Sequence, residues 1–318
     1  MVTMLPWPAS SSSELPGRAR RSPGPGRLGP EGIGPDSTGP EGTAGDLVEC
    51  RRLRLLVAYL GAPFRGFALQ RGQVTVASAL SGALERVLRR PVRLTCAGRT
   101  DAGVHAWGQV VSLDVAASAD LERLQRSVNR MLAPSVLVRE VEWAAPGFDA
   151  RRWALSRRYR YTLVCTKWLA PFDAGRVWHV PAALDLLGMQ AAGDVFLGEH
   201  DFTSFCHKPP GTSAVRRVLR AEWSDLGDGR LLFDIEASSF CHQMVRSLVG
   251  TLVDVGMHRR RAGDLTSVLA AKDRALAGPL APPQGLCLWE VSYPASSLAV
   301  QPTSLAGQPT SSAPQRAS

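Results

Sequence analysis

Val92-Arg93-Leu94-Thr95-Cys96-Ala97-Gly98-Arg99-Thr100-Asp101-Ala102-Gly103-Val104-His105-Ala106-Trp107-Gly108-Gln109-Val110-Val111-Ser112-Leu113-Asp114-Val115 reads as a strand, a glycine-flanked loop and a second strand. Val92 to Cys96 and Gln109 to Val115 carry the apolar, β-branched pattern of extended chain. Between them, Gly98 and Gly103 permit a tight turn that pushes Asp101 out of the sheet, with Arg99 two residues before it and His105 four after. Such a loop can present a carboxylate and a guanidinium to a cleft. Asp beside Gly is by default only a turn signal. Chemistry at this loop therefore has to be argued from partners elsewhere in the chain.

Working outward, Leu53 to Leu60 reads as a strand and Val76 to Arg90 as a helix with Val76, Leu80, Ala83, Leu84 and Val87 on one face. Asp120 to Leu132 is a second helix with the stripe Leu121, Leu124, Val128, Met131 and Leu132, stopped by Pro134. Val136 to Ala144 and Arg157 to Cys165 are strands; in the latter Tyr159 and Tyr161 share one face, Arg158 and Arg160 the other. Residues 182–197 read as a helix. Arg216 to Ser224 and Leu231 to Ser239 form a hairpin around Gly227-Asp228-Gly229. His242 to Met257 and Leu265 to Lys272 are helices, and Leu286 to Tyr293 is a last strand. The class is α+β, with two similar α/β subdomains, 49–150 and 151–294, sharing an antiparallel or mixed sheet around a central cleft. Residues 1–48 are Pro-, Gly- and Ser-rich, the tail 295–318 is rich in Ser, Pro, Gln and Ala, and both are expected to be disordered.

The chain has 318 residues and a formal net charge of +9, and Lys167, Lys208 and Lys272 are its only lysines. An arginine-based surplus suits a polyanion such as RNA, although a GC-rich gene gives the same bias. Six cysteines, Cys50, Cys96, Cys165, Cys206, Cys241 and Cys287, form no Cys-x-x-Cys pair. That disfavours a zinc ribbon or a secreted disulfide framework. Cys206-His207 and Cys241-His242 are adjacent pairs whose side chains splay apart, so no metal is expected. No apolar run is long enough to span a bilayer, and no secretory signal core is present. Arg18, Arg20, Arg21 and Arg27 among serines make residues 1–48 a candidate mitochondrial transit segment, against which the prolines and glycines count. The alternative compartments are cytoplasm and nucleus.

A partly buried Asp101 needs a cation to stay ionised. Arg99 and Arg246 are the two candidates. Arg246 lies in Phe240-Cys241-His242-Gln243-Met244-Val245-Arg246-Ser247-Leu248-Val249-Gly250, at the edge of an apolar helix stripe. Tyr159 or Tyr161 can stack on an extruded base with flanking arginines on phosphates, though strand aromatics are by default packing residues. His200 and Asp201 resemble a catalytic pair but fit a structural junction better. The other histidines, His105 included, read as structural or near the RNA.

These segments resemble the TruA family of tRNA pseudouridine synthases. Gly98-Arg99-Thr100-Asp101-Ala102-Gly103-Val104-His105 is similar to the family's catalytic loop, Arg157-Arg158-Tyr159-Arg160-Tyr161 to its second motif and Phe240 to Gly250 to its third. Phe148 to Arg151, Gly198 to Phe205, Ala271 to Arg274 and Gln284 to Leu286 match in order, so the likeness runs from about Leu53 to Pro294. The resemblance implies the pseudouridine synthase fold and a cofactor- and metal-free isomerisation of uridine to pseudouridine in tRNA or a tRNA-like RNA. It implies that Asp101 is catalytic, Tyr159 stacks on the flipped base, Arg246 pairs with Asp101 and Arg99 helps hold the base out. No membrane is implied, and the dimers of bacterial members make a homodimer the expectation.

Where the family reads Tyr-Asp-Gly, Gly-Trp-Gln and Thr-Val-Gln, this chain has Tyr59-Leu60-Gly61, Gly66-Phe67-Ala68 and Thr75-Val76-Ala77. These positions are expected on the RNA-facing side. They lend weight to the alternative of an RNA-binding or RNA-chaperone protein with weak catalysis on the same fold. A hydrolase with paired carboxylates is disfavoured, because no second acid stands in a matching motif.

Overall fold

Three of the helices start at a side chain that caps them. The structure, a computed structural model, describes residues 49–207 and 211–298. The readings of residues 1–48 and 299–318 lie outside these. Helix α1, Val76–Leu88, begins at Thr75, whose hydroxyl accepts from the Ser78 amide while the Ser78 hydroxyl accepts from that of Thr75. This reciprocal cap satisfies two otherwise orphaned donors. Helix α2, Leu121–Leu132, is capped by Asp120 and buries Leu124 and Val128. Met131, expected in that stripe, is instead exposed. Helix α3, Leu186–Asp194, starts four residues later than expected, because Asp185 accepts from the Gly188 amide and so fixes the first turn there. Helices α4, Met244–Gly256, and α5, Asp264–Ala271, complete the set among the described residues.

The strands are β1, Cys50–Tyr59; β2, Thr95–Cys96; β3, His105–Ala116; β4, Val136–Trp143; β5, Ser156–Val164; β6, Trp178–His179; β7, Gly198–Asp201; β8, Val215–Asp225; β9, Arg230–Ala237; and β10, Leu286–Ser292. They form one mixed, mostly antiparallel sheet in the order β4-β1-β3-β10-β5-β9-β8-β7, with β2 added to β3 and β6 to β5. The strand expected over Val92 to Cys96 pairs only at Thr95 and Cys96. The β8–β9 hairpin turns on Gly227, Asp228 and Gly229, all at positive φ. Residues 295–298, placed in the tail by composition, form a short 3-10 turn, and Leu298 bridges to Ala144.

The first half of the chain supplies β1 to β4 and the second half β5 to β9. The seam between them is β10, parallel to β3 on one side and antiparallel to β5 on the other. Its register aligns Leu288 with both Ala106 of β3 and Tyr159 of β5. With strands about 4.8 Å apart, the loop that enters β3 comes within two strand spacings of Tyr159. The segment leading into β10 is itself gripped. The Tyr161 hydroxyl donates to the Pro282 carbonyl at 2.7 Å, and the Ala281 amide donates to the Arg246 carbonyl at 3.1 Å. Gly250 permits this closeness, since a β-carbon there would sit 1.7 Å from the Pro279 oxygen.

The sheet faces are divided by strand alternation. Tyr159 and Tyr161 are buried on one face. On the other, Arg139 lies over Trp107, Trp107 stacks on Trp289 with centroids 6.1 Å apart, and Arg160 lies over Trp289, so the stack crosses the seam. Arg158 and Arg160 also hold Asp234 of β9, at 2.6 Å and 3.0 Å. These two arginines are therefore spent inside the protein rather than flanking Tyr159 on phosphates. Burial alone would raise the Asp234 carboxyl, but the two guanidinium groups hold it below its ordinary value. Because the native value is lowered, this stabilisation is present at neutral pH and is lost as the pH falls below the ordinary 3.8 and through the native value. Asp234→Asn should cost about 2–3 kcal/mol in urea unfolding at neutral pH, the arginines keeping some water access. The gap to wild type should close on acidification, and an equal gap at about pH 7 and about pH 2.5 would refute the assignment.

Candidate active site

The loop between β2 and β3 is built into the protein on every side but one. The Ala97 amide donates to Val110, and Gln109, fully buried, reads Gly98 twice: its amide nitrogen donates to the Gly98 carbonyl at 2.7 Å and its oxygen accepts from the Gly98 amide at 3.4 Å. The same nitrogen reaches the Tyr59 hydroxyl at 3.3 Å, and that hydroxyl pairs with Thr100 at 2.8 Å. The Phe67 amide donates to the Thr100 carbonyl. Arg157, buried on the cleft face, donates to the carbonyls of Ala97, Arg151, Ala154 and Ser238 at 2.8–3.2 Å. It ties the loop to the ends of β5 and β9. A turn then brings the Val104 amide to the Asp101 carbonyl, with Gly103 at φ +80°, where a side chain is strained.

The side chain of Asp101 points away from these supports. Its Oδ2 lies 3.4 Å from Nη1 of Arg246 and its Oδ1 3.3 Å from Nε2 of His242. Arg246 is fixed in turn, its Nε donating to the Ala281 carbonyl at 2.7 Å. Of the two arginines considered for this role, the structure brings Arg246 to the carboxylate, while Arg99 forms no ion pair with it among the described residues. Tyr159 faces the same space, edge-on to Phe240 at 5.2 Å. Burial and the nearby charge of Asp101 push its phenol above the ordinary range, so the ring is neutral.

Asp101, Arg99, Tyr159 and Arg246 all line one cleft of about 1810 Å³. Its walls include Arg65, Arg93, Arg151 and Arg216, with Glu85 as the only acid besides Asp101. A cleft of this size with such a lining focuses positive potential on its floor. Among the described residues no group of three or more His, Cys, Asp or Glu could hold a metal ion, and no helix is long and apolar enough to cross a membrane.

The remaining expectations resolve by geometry. His105 accepts from the Gly61 amide at Nδ1, so its proton is on Nε2 and goes to the Gly175 carbonyl. Burial lowers its pKa, which makes it a neutral structural residue. His200 bonds to the Leu197 carbonyl, and Asp201 caps Thr203 and pairs with Lys272 at 3.1 Å. The substituted Gly66-Phe67-Ala68 segment supports the loop through the Phe67–Thr100 bond rather than standing apart from it. Sequence reasoning missed His242, Gln109 and the clamp of Arg157. All three follow only from the fold, His242 because a left-handed Gln243 sets it off the helix that carries Arg246.

A model for the family described as tRNA pseudouridine synthase matches residues 192–294. The chain is 41% identical over 250 residues to a tRNA pseudouridine synthase A of Methylobacterium nodulans, covering 78% of this chain and 98% of that protein. It is 44% identical over 248 residues to one from Frankia casuarinae, covering 76% and 89%, and 39% identical over 246 residues to one from Geobacter sulfurreducens, covering 76% and 100%. This chain belongs to the tRNA pseudouridine synthase A family. The family model covers α4 with His242 and Arg246, whereas Asp101 and Tyr159 lie in the part covered by the longer relatives' matches.

In this synthase the loop geometry rests on a buried amide. Gln109→Leu leaves the Gly98 amide and carbonyl without their buried partner, which should cost about 1–3 kcal/mol in denaturant unfolding. Hydrogen exchange at the Gly98 amide should speed up more than at Val110. Unchanged protection at Gly98 would show that the loop is held without Gln109.

Proposed function

We propose that this chain isomerises uridine to pseudouridine in tRNA, with Asp101 acting on the ribose. The observation that carries the reading is a carboxylate on the floor of an arginine-lined cleft, paired with Arg246 from the other half of the chain. The arginines of the walls bind phosphates without reading sequence. The target uridine leaves its stack and enters the cleft, where the neutral ring of Tyr159 offers it a face. Arg99, on the same wall, helps keep the base out of the helix.

Asp101 then drives cleavage of the bond between N1 and C1′, by bonding to C1′ or by taking the 2′ proton. Both routes need an ionised carboxylate beside the sugar. The freed uracil turns and rejoins through C5, displacing Asp101 from C1′ on the first route or as the 2′ proton returns on the second; the C5 proton is then released and N1 takes one up. Arg246 keeps Asp101 charged and aimed, and its own orientation comes from the Ala281 carbonyl. A homodimer, as the resemblance implies, is part of the proposal and is read by light scattering of the full chain. Import into mitochondria through residues 1–48 is likewise proposed, and is read by fractionation of cells expressing the tagged chain.

Release of tritium from C5 of uridine in tRNA tests the chemistry. Asp101→Asn should reduce turnover by about 10⁴-fold or more, leaving only binding and positioning. Arg246→Met should reduce it by about 10²-fold through a misaimed carboxylate. Undiminished turnover in Asp101→Asn would overturn the proposal.

A further inference from the structure

We infer that His242 is a second positioning residue for Asp101, donating from Nε2 to the carboxylate oxygen that Arg246 leaves free. Each oxygen of the carboxylate has its own partner, Arg246 on Oδ2 and His242 on Oδ1. A carboxylate can only accept, so Nε2 of His242 carries a proton and donates it. Arg246 alone is a weak tether. Its Nε is committed to Ala281, leaving a single contact at 3.4 Å, and one contact leaves the carboxylate free to rotate. A second donor on the other oxygen fixes its plane.

The backbone is arranged for this contact. The helix expected to begin at His242 begins at Met244, because Gln243, its N-cap, is left-handed at φ 62°. That conformation is disfavoured for a residue with a side chain. Its effect is to swing His242 off the helix, so that it meets Asp101 from one side while Arg246, three residues beyond Gln243, meets it from another. Strain of this kind persists where the surroundings impose it.

The charges facing His242 come from three elements: Asp101 on its loop, Arg246 on α4 and His207 on the segment after β7, its ring centroid 6.0 Å away. Arg99, Arg151, Arg157 and Arg216 line the same cleft.

This inference rests on Asp101 being the reacting group, and the test separates the two. The kcat and KM for pseudouridine formation in tRNA are measured for wild type, His242→Leu and His242→Gln. In His242→Leu kcat should fall about tenfold, the size of a hydrogen bond to a charged group, with KM little changed, and His242→Gln, which keeps a donor, should recover much of it. An unchanged kcat in His242→Leu, or an effect on KM alone, overturns the inference while leaving the role of Asp101 standing. Loss of the Asp101 dependence itself would sink the reading beneath it. A readout free of turnover is the NMR resonance of the His242 ring Nε2 in the full chain without RNA: Asp101→Ala, which removes its acceptor, should move that resonance, and no change would also overturn the inference. His242 is 55% exposed in its side chain, so these variants keep the fold.

Discussion

The last strand holds this molecule together. Without β10, β1 to β4 and β5 to β9 would be two half-sheets, each with an open edge of unpaired amides and carbonyls. Pairing on both sides of β10 satisfies those edges and fixes the distance between the loop that carries Asp101 and the strand that carries Tyr159. The approach segment does the same for α4. Ala281 and Pro282 hold Arg246 and Tyr161 through backbone carbonyls, so the candidate site and the strand that closes the sheet are built as one. On the far face, the Arg139, Trp107, Trp289 and Arg160 stack crosses the same seam and covers it.

Arginine is nearly the only cation here, and the fold divides it among three uses. Arg158 and Arg160 neutralise Asp234 inside the sheet. Arg157 carries no acid partner; it is bound entirely by carbonyl oxygens, which suits a planar, five-donor group in a fixed fork. Arg65, Arg93, Arg99, Arg151 and Arg216 are left to the cleft. Three neighbours in one strand, Arg157, Arg158 and Arg160, are thus structural, and the residue between two of them, Tyr159, is the one that faces the cleft.

Most of the fold was legible in the sequence. The period of Val76, Leu80, Ala83 and Leu84 marked α1, and the glycine-rich turn at 227–229 marked the β8–β9 hairpin, because both signals are local. The order of the sheet was not legible, since pairing β10 between β3 and β5 joins residues nearly two hundred positions apart. Short pieces such as β6 and β7 carry too few residues for a period. At the site, Asp101, Tyr159 and Arg246 stood out by motif. His242 did not, because its meaning depends on a left-handed Gln243, and no residue type announces that conformation at a glutamine.

By itself, the sequence determined which elements form, which faces they bury and which family the chain resembles, because turns, caps and apolar periodicity act over a few residues. The tertiary structure decided which charges meet. It gave Asp101 to Arg246 and His242 rather than to Arg99, took Arg158 and Arg160 away from the cleft, and set the Asp101 loop on Gln109 and Arg157. The physical reason is that an ion pair or a buried hydrogen bond depends on distances of a few ångströms. Only the closing of the sheet through β10 sets those distances between the two halves of the chain.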